Sequence, residues 1–181
     1  MNYINKGKRD VIILPKFCNE HILEKIRKKY DELYGIIPPH ITLAFPFDSD
    51  ISNDILKKKL NEIASDFKPF TIKLKGISIR FDNRVKVYYI FLNFIQGEDT
   101  IIDIHKRIYN DILQNELPFD YMPHITLGCT KEIIDLNLEE EFETVVDQLS
   151  VELIGENEES NIIIQVKLLD LSGNAIETNR I

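Results

Sequence analysis

The pentapeptide Pro-His-Ile-Thr-Leu occurs twice in this chain of 181 residues, at positions 39–43 and 123–127. Each copy lies in an apolar run rich in β-branched residues, which predicts a strand. Alternate residues of a strand face the same side, so the histidine and the threonine of each copy are expected to point the same way. The repeat therefore predicts two strands that each carry a His-x-Thr pair on one face.

The first half of the chain is predicted to alternate between strands and helices. One helix is expected to start at Asn19 and stop at Gly35, and a second to be capped by Ser52 or Asn53. The predicted strands are 11–14, 40–45 around the first pentapeptide, and 70–81 with a bulge at Gly76.

The second half repeats this order. Its predicted elements are a strand at 85–94, a helix after Gly97, the strand of the second pentapeptide, a helix at 138–150, a polar loop at 156–161, and strands at 151–154 and 162–171. The helix near 54–67 matches the one near 138–150 at an offset close to 84, the separation of the two pentapeptides. We interpret the chain as a single domain, 1–181, of two pseudo-repeats at about 1–81 and 82–181, each adding one His-x-Thr strand to a shared cleft.

Composition and charge exclude several classes of protein. No apolar run approaches the roughly 20 residues that span a bilayer, and Cys18 and Cys129 are too few for a disulfide framework, so a cytoplasmic protein is expected. The net charge is −8, with 17 basic and 11 acidic residues in 1–91 against 5 and 19 in 92–181. Such a protein is a poor candidate for binding duplex nucleic acid. Binding of a small or single-stranded polyanion to the basic half stays open as an alternative. The lysine clusters there are equally typical of solvated helix faces.

His40, Thr42, His124 and Thr126 suit acid–base chemistry on a phosphate. Cleavage of a phosphodiester by in-line displacement needs a base for the attacking oxygen and an acid for the leaving one. Histidine serves in both roles because its pKa lies near neutrality. Each threonine hydroxyl can donate a hydrogen bond to a non-bridging phosphate oxygen. Two such pairs in a repeated context favour catalysis over two structural histidines on buried strands.

No metal site and no cofactor are predicted. Zinc would need one or two ligands besides the two histidines, and neither motif strand offers Asp, Glu or Cys at the i±2 positions. Cys129 is expected on the face opposite to His124. Of the other histidines, His105 is predicted to be a half-buried structural residue and His21 to be exposed.

The two pentapeptides resemble the paired signatures of the 2H phosphoesterase superfamily, which includes the RNA 2′,3′-cyclic phosphodiesterases once called 2′,5′-RNA ligases. The resemblance covers nearly the whole chain. It implies an α+β fold of two lobes, with antiparallel sheets lining a central groove and helices outside. It also implies that His40 and His124 are the catalytic pair and that Thr42 and Thr126 bind the phosphate. By analogy His124 is the base and His40 the acid, an order that the residues alone do not fix.

One departure from that family concerns the residues after the second motif. Many ligase-type members carry a basic residue there, whereas this chain has Gly128 and Cys129. Other cations must then neutralise the phosphate, and the candidates beside the central hairpin are Arg80, Arg84 and Lys86. Candidates to stack on a nucleobase are Phe45, Phe47 and Tyr121. Each of these six side chains is equally consistent with a surface or packing role.

The implied activity is metal-independent hydrolysis of a 2′,3′-cyclic phosphate, on a nucleotide or a short single-stranded RNA end, to a 2′-phosphate. Two alternatives share this chemistry: cleavage of 2′,5′-linked or cyclic oligonucleotides, and cleavage of ADP-ribose 1″,2″-cyclic phosphate. RNA ligation, the reverse reaction, is a secondary activity at most. An alternative of another class is a non-catalytic nucleotide-binding module whose acidic half faces a basic partner protein. Neither duplex DNA nor a membrane is an expected partner.

Overall fold

The computed structural model describes residues 8–117, 119–155 and 159–169. Within these ranges the chain forms eight strands and three α-helices. The strands are β1 (Arg9–Ile13), β2 (Ile41–Phe47), β3 (Phe70–Asp82), β4 (Val87–Gln96), β5 (Ile125–Thr130), β6 (Glu141–Val146), β7 (Gln148–Ile154) and β8 (Ser160–Lys167). The helices are α1 (Glu20–Tyr30), α2 (Asn53–Ala64) and α3 (Glu98–Ile108), the last continued by a π-helical turn at Tyr109–Leu113.

All eight strands belong to one sheet, in the order β6-β3-β4-β5-β2-β1-β7-β8. Every neighbouring pair is antiparallel. Each half of the sheet holds four strands, and the halves meet where Ile41 of β2 pairs with Ile125 of β5. The predicted α+β fold is confirmed. The predicted antiparallel strands form one curled sheet that is continuous through the two motif strands.

Local signals place several elements where the sequence predicts them. The Ser52 hydroxyl accepts a hydrogen bond from the Ile55 amide at 3.3 Å and caps α2. Asn19 stands at the N-cap of α1, and its side-chain amide donates to the Glu141 carbonyl. The predicted bulge in β3 is confirmed, since the register with β4 shifts between Leu74 and Ile77, beside Gly76.

The core lies between the helices and one face of the sheet. Strand residues that alternate with the motif side chains are fully buried there, among them Ile41, Leu43, Ile125 and Leu127. Leu56 and Leu60 of α2 and Ile101 and Ile104 of α3 complete it from the helical side, and their i, i+3/i+4 spacing explains why these segments are helices. In the described part of the chain, no helix has the length and apolar character needed to cross a membrane.

The prediction of a helix at 138–150 is wrong, because this segment forms β6 and the start of β7. Phe142, Val145 and Val146 fit a helical face by spacing, but Val145 is exposed whereas the other two are buried. Pairing with β3 decides the conformation, with Phe142 opposite Leu74 and Val146 opposite Phe70. Tertiary pairing overrides a weak local preference here. The match between this segment and the 54–67 helix, used to argue for the repeat, therefore fails.

Predictions at the edges of the described ranges have mixed outcomes. Ser160 and Asn161 belong to β8 rather than to the expected polar loop, of which 156–158 lie outside the described residues. The strand predicted to reach residue 171 ends at Lys167, and residues 170–181 are outside the described part. The division of one domain into two repeats stays a prediction.

Candidate functional site

The two His-x-Thr segments meet at the centre of the sheet. Because β2 and β5 run antiparallel through the Ile41–Ile125 pair, continuing that register by one residue sets His40 opposite Thr126. Continuing it in the other direction sets Thr42 opposite His124. Since the isoleucines face the helices, all four motif side chains share the opposite, open face.

A cavity of about 670 Å³ opens on this face. Its floor includes His40, Thr42 and Thr126, and one wall is the segment 30–33 that follows α1. His124 lies beside Phe91 of β4, with 3.8 Å between the two ring centroids. The groove therefore has both residues of the first motif and the threonine of the second at its floor, with His124 opposite Thr42 by the strand register.

Both histidines are oriented by the same backbone contact. Nδ1 of His40 lies 3.0 Å from the Pro38 carbonyl oxygen, and Nδ1 of His124 lies 2.8 Å from the Met122 carbonyl oxygen. A carbonyl only accepts, so each ring donates from Nδ1, and in the neutral ring Nε2 carries the free lone pair. A proline precedes each histidine and fixes the backbone that brings this carbonyl back to the ring. The identical pentapeptides thus encode identical ring orientations.

The environment lowers the pKa of both imidazoles from the ordinary value of 6.5, mainly because burial disfavours the charged ring. At His40 the hydrogen bond to Pro38 and the negative charges of Glu152 and Asp31 act in the opposite direction. At His124 only the hydrogen bond to Met122 does so, and the charges of His40 and Arg80 lower the pKa further. The two rings therefore have the same orientation but different electrostatic surroundings.

Buried Arg27 of α1 fixes the segment that leads to His40. Its guanidinium pairs with Glu24 at 2.7 Å and with Asp31 at 2.8 Å, and it donates to the Ile37 carbonyl at 2.6 Å. The side chain is 1% exposed. A fully buried cation with carboxylate and carbonyl partners holds its loop in one conformation, because releasing any partner would leave a charge unpaired.

Aromatic residues support β2 from the helical side. The Tyr121 hydroxyl donates to the Thr42 carbonyl at 2.8 Å, and its ring stacks on His105 with centroids 3.6 Å apart. Nδ1 of His105 lies 2.7 Å from the Leu43 carbonyl oxygen. His105 is thus a structural residue, more fully buried than the half-buried position that the sequence predicts, and His21 is exposed as predicted. Tyr121, a predicted stacking residue, contacts the back of the first motif.

The other predicted side chains are distributed unevenly around the groove. Phe45 lines the cavity, edge-on to Phe119 at 5.4 Å between centroids. Phe47 packs against the core with the Arg9 guanidinium 5.6 Å from its ring centre.

Of the predicted cations, Arg80 is the one whose charge acts at a motif histidine. It stands opposite Tyr89 on β3, and it lowers the pKa of His124. Arg84 donates to both carboxylate oxygens of Asp82 on the exposed hairpin, and Lys86 pairs with Asn83.

Two aromatic residues of β4 were missed by the sequence analysis. Tyr89 and Phe91 stack with centroids 5.8 Å apart and planes 9° apart, and Phe91 continues the row to His124. Their neighbours Ile90 and Leu92 are fully buried. The sequence analysis predicted that 85–94 is apolar on both faces. The alternation of aliphatic and aromatic residues in this segment could have predicted an aromatic face. A flat row of rings beside a motif histidine is suited to stacking on a nucleobase.

A carboxyl pair in the groove was also missed. Asp10 of β1 is opposite Glu152 of β7, the two are 6% and 5% exposed, and both line the cavity. Burial, the charge of Glu152 and a hydrogen bond between the side chains raise the pKa of Asp10 to about 8. At neutral pH Asp10 therefore keeps its proton in the folded protein. The available signal was a single acidic residue inside each of two apolar strands.

The prediction that Cys129 faces away from the site is wrong. Phe91 pairs with Thr126 but Ile90 pairs with Gly128, so the β4–β5 ladder has an extra residue at this point. This irregularity turns Cys129 toward the cavity, which it lines. Among the described residues, no three His, Cys, Asp or Glu side chains form a cluster able to hold a metal ion.

Comparison with known proteins identifies relatives of this chain. The family model described as the 2′-5′ RNA ligase superfamily matches residues 14–153. Two relatives carry the name "Putative phosphoesterase". The one from Geobacillus kaustophilus strain HTA426 is 30% identical over 123 residues, which are 67% of this chain and 68% of the relative. The one from Geobacillus thermodenitrificans strain NG80-2 is 28% identical over 122 residues, with the same coverage of each chain.

Solved structures share the fold at low sequence identity. TT0787 of Thermus thermophilus superposes with a TM-score of 0.68 at 14% identity, covering 89% of this chain and 97% of that one. LigT of E. coli complexed with 3′-AMP gives a TM-score of 0.59 at 15% identity, covering 91% and 99%. LigT has also been solved with NADP+ and with ATP.

Proposed function

The chain belongs to the 2′-5′ RNA ligase superfamily, a group of 2H phosphoesterases, and from this membership and the paired motifs we propose that it is a metal-independent phosphodiesterase of 2′,3′-cyclic phosphates. The observation that carries the proposal is the antiparallel meeting of β2 and β5. This register supports the proposal because a phosphate bound between the strands would meet two imidazoles and two hydroxyls. Complexes of LigT with 3′-AMP, NADP+ and ATP support a nucleotide as the substrate class.

The proposed reaction uses one histidine for each proton. Nε2 of His124 accepts a proton from water while the water oxygen forms a bond to phosphorus. The bond from phosphorus to the ribose 3′-oxygen breaks, and protonated His40 delivers its Nε2 proton to that oxygen. The product carries a 2′-phosphate, and the proton taken up by His124 returns to solvent while His40 is reprotonated. The hydroxyls of Thr42 and Thr126 donate hydrogen bonds to the non-bridging oxygens throughout.

The surrounding side chains have proposed binding roles. Arg80 is the candidate for balancing the phosphate charge, because it acts at His124 and, among the described residues, forms no ion pair. Tyr89 and Phe91 are the candidate surface for the base, because their rings form a continuous row up to His124. Phe45 lines the cavity wall and would contact the sugar or a neighbouring base.

The test is hydrolysis of 2′,3′-cyclic nucleotides and of RNA with a cyclic-phosphate end, in excess EDTA. We expect turnover by the wild type and a loss in His40→Ala and in His124→Ala of at least the roughly 10²–10⁴-fold that acid–base catalysis contributes. His21→Ala is the matched control, because this histidine is exposed. The product isomer, resolved by phosphorus NMR, is expected to be the 2′-phosphate.

Other outcomes select among the alternatives. The protein could turn over 2′,5′-linked oligonucleotides or ADP-ribose cyclic phosphate but not 2′,3′-cyclic phosphates. That result would support the two-histidine mechanism and change the assigned substrate. Tight nucleotide binding without turnover of any of these substrates would show that the protein is a nucleotide-binding module and not an enzyme of this class. Activity abolished by EDTA would refute the mechanism.

A further inference from the structure

Equivalent positions beside the two motifs carry unlike side chains. In the first half of the sheet, Thr42 pairs with Ile12 of β1, and two residues before Ile12 stands Asp10, which pairs with Glu152. Starting from Thr42 of β2, the cross-strand partner on β1, the residue two positions before that partner, and the β7 partner of that residue thus define the position of the carboxyl pair.

The same series of positions in the second half ends on a cation. Thr126 pairs with Phe91 of β4, two residues before it stands Tyr89, and Tyr89 pairs with Arg80 of β3. The carboxyl pair therefore corresponds in position to a tyrosine and an arginine. The groove floor repeats its motif, but the flanking charge changes sign from one half to the other.

The carboxyl pair is not explained by stabilisation of the fold. Among the described residues neither Asp10 nor Glu152 pairs with a lysine or arginine, and Oδ1 of Asp10 is buried without a hydrogen-bond partner. Burying an unpartnered carboxyl oxygen lowers the stability of the fold. A costly pair that lines the cavity indicates a role at the site.

Each flanking charge acts on a different motif histidine. The groups that act on His40 are Glu152 from β7 and the Arg27–Asp31 pair of α1 and the following loop. Arg27 and Asp31 largely offset each other because they form an ion pair at 2.8 Å. At His124 the acting groups are His40 and Arg80. Glu152 thus favours the protonated form of His40, whereas Arg80 favours the neutral form of His124.

We propose that Glu152, in its pair with Asp10, and Arg80 are positioning residues that polarise the groove and assign the proton-donor role to His40 and the proton-acceptor role to His124. This inference rests on the proposed phosphodiesterase function. The identical motifs give both rings the same geometry, so they do not distinguish acid from base. The flanking charges supply the difference.

The polarity has a direct consequence in each proton transfer. His40 must hold a proton until the bond from phosphorus to the leaving oxygen breaks, and the Glu152 carboxylate stabilises the imidazolium up to that point. His124 must be neutral when water attacks, and the Arg80 guanidinium disfavours its premature protonation. Glu152 and Arg80 exchange no proton with the substrate.

The first test is an NMR titration of the two imidazoles, in protein labelled with ¹⁵N-histidine. We expect Glu152→Gln to lower the pKa of His40 by roughly half a unit or more and to leave His124 unchanged. Arg80→Gln is expected to raise the pKa of His124 and to leave His40 unchanged. Asp10→Asn is expected to leave the pKa values of both histidines unchanged, because Asp10 keeps its proton up to about pH 8.

The controls are Glu143→Gln and Arg107→Gln, which remove exposed charges held in surface ion pairs. The second readout is the pH profile of kcat/KM. Glu152→Gln should move the alkaline limb, which reports the acid, to lower pH. Arg80→Gln should move the acidic limb, which reports the base, to higher pH.

Two results overturn the inference while leaving the proposed function intact. One is turnover with both histidine titrations unmoved by the variants. The other is a crossed response, in which Glu152→Gln moves the acidic limb or Arg80→Gln moves the alkaline limb. Absence of turnover in the wild type would instead refute the proposed function, whatever the titrations show.

Discussion

At the scale of single residues, the site depends on how each imidazole is oriented and solvated. Both motif histidines donate from Nδ1 to the carbonyl two residues earlier, at 3.0 Å for His40 and 2.8 Å for His124. This contact leaves Nε2 as the ring nitrogen without a backbone partner, and burial lowers the pKa of both rings. Orientation and proton affinity are thus set by different causes, the first by the pentapeptide itself and the second by the surrounding fold.

The lowered pKa values predict an acid-shifted optimum. The base must be neutral, which requires a pH above its pKa, and the acid must be protonated, which requires a pH below its own. Since burial lowers the pKa of both His40 and His124 below 6.5, the bell-shaped profile of kcat/KM for the free enzyme should be centred below pH 6.5. An optimum at pH 7.5 or above would contradict this assignment.

At the scale of elements, the end of α1 crosses β5 directly over Gly128. A Cβ built at this glycine would lie 2.3 Å from the backbone carbon and oxygen of Tyr30, and its φ is +128°. No side chain fits there. The close approach puts the 30–33 segment onto the cavity wall, so the residue after the second motif serves the packing of α1.

Gly128→Ala is therefore expected to destabilise the protein by more than about 3 kcal/mol, because it combines overpacking against a backbone with a strained φ. Gly76→Ala is the matched control, since Gly76 has a φ of +73° but an added methyl group would meet nothing within 4 Å. That variant should lose only the roughly 1–2 kcal/mol of a left-handed alanine. Urea unfolding of both measures the difference, and equal losses would show that the crossing imposes no constraint.

At the scale of the whole molecule, one curled sheet joins two four-stranded halves through the motif strands. The groove forms where the halves meet, so residues far apart in the chain share its walls. Asp10 and Glu152 face each other from β1 and β7, 142 positions apart by their numbers. Their buried pair ties the stability of the fold to the protonation of the groove.

The Asp10 pair predicts a specific pH dependence of stability. With its pKa raised from 3.8 to about 8, Asp10 keeps its proton in the folded chain where the unfolded chain has lost it. The free energy of unfolding is therefore not reduced by this group below pH 4, and it falls as the pH rises toward 8. Between pH 5 and 8 the free energy of unfolding of the wild type should fall, relative to Asp10→Asn, by more than about 1.4 kcal/mol, the equivalent of one pKa unit.

Urea unfolding at the two pH values measures this difference. Glu143→Gln serves as the control, because its carboxylate is exposed and should leave the pH dependence unchanged. A wild type and an Asp10→Asn variant with parallel pH dependence would show that the carboxyl pair is ionised in the folded protein.

The sequence by itself determined the local elements and the two motifs. Period-2 and period-3.6 patterns and the capping residue Ser52 depend on neighbours within a few positions, so β1–β5 and α1–α3 follow from them. The His-x-Thr pairs belong to the same class, because alternation along a strand sets their common face. These motifs carry the resemblance to the family whose model matches residues 14–153.

Only the tertiary structure decided what lies between distant strands. Residues 141–146 form a strand because β3 is there to pair with it, although their spacing fits a helix. Cys129 faces the cavity because of a ladder irregularity against β4. The Asp10–Glu152 pair, the Tyr89–Phe91 row and the action of Arg80 on His124 likewise depend on strand neighbours that local sequence does not specify. Cross-strand register is set by the packing of the whole sheet, and the electrostatic difference between two identical motifs arises there.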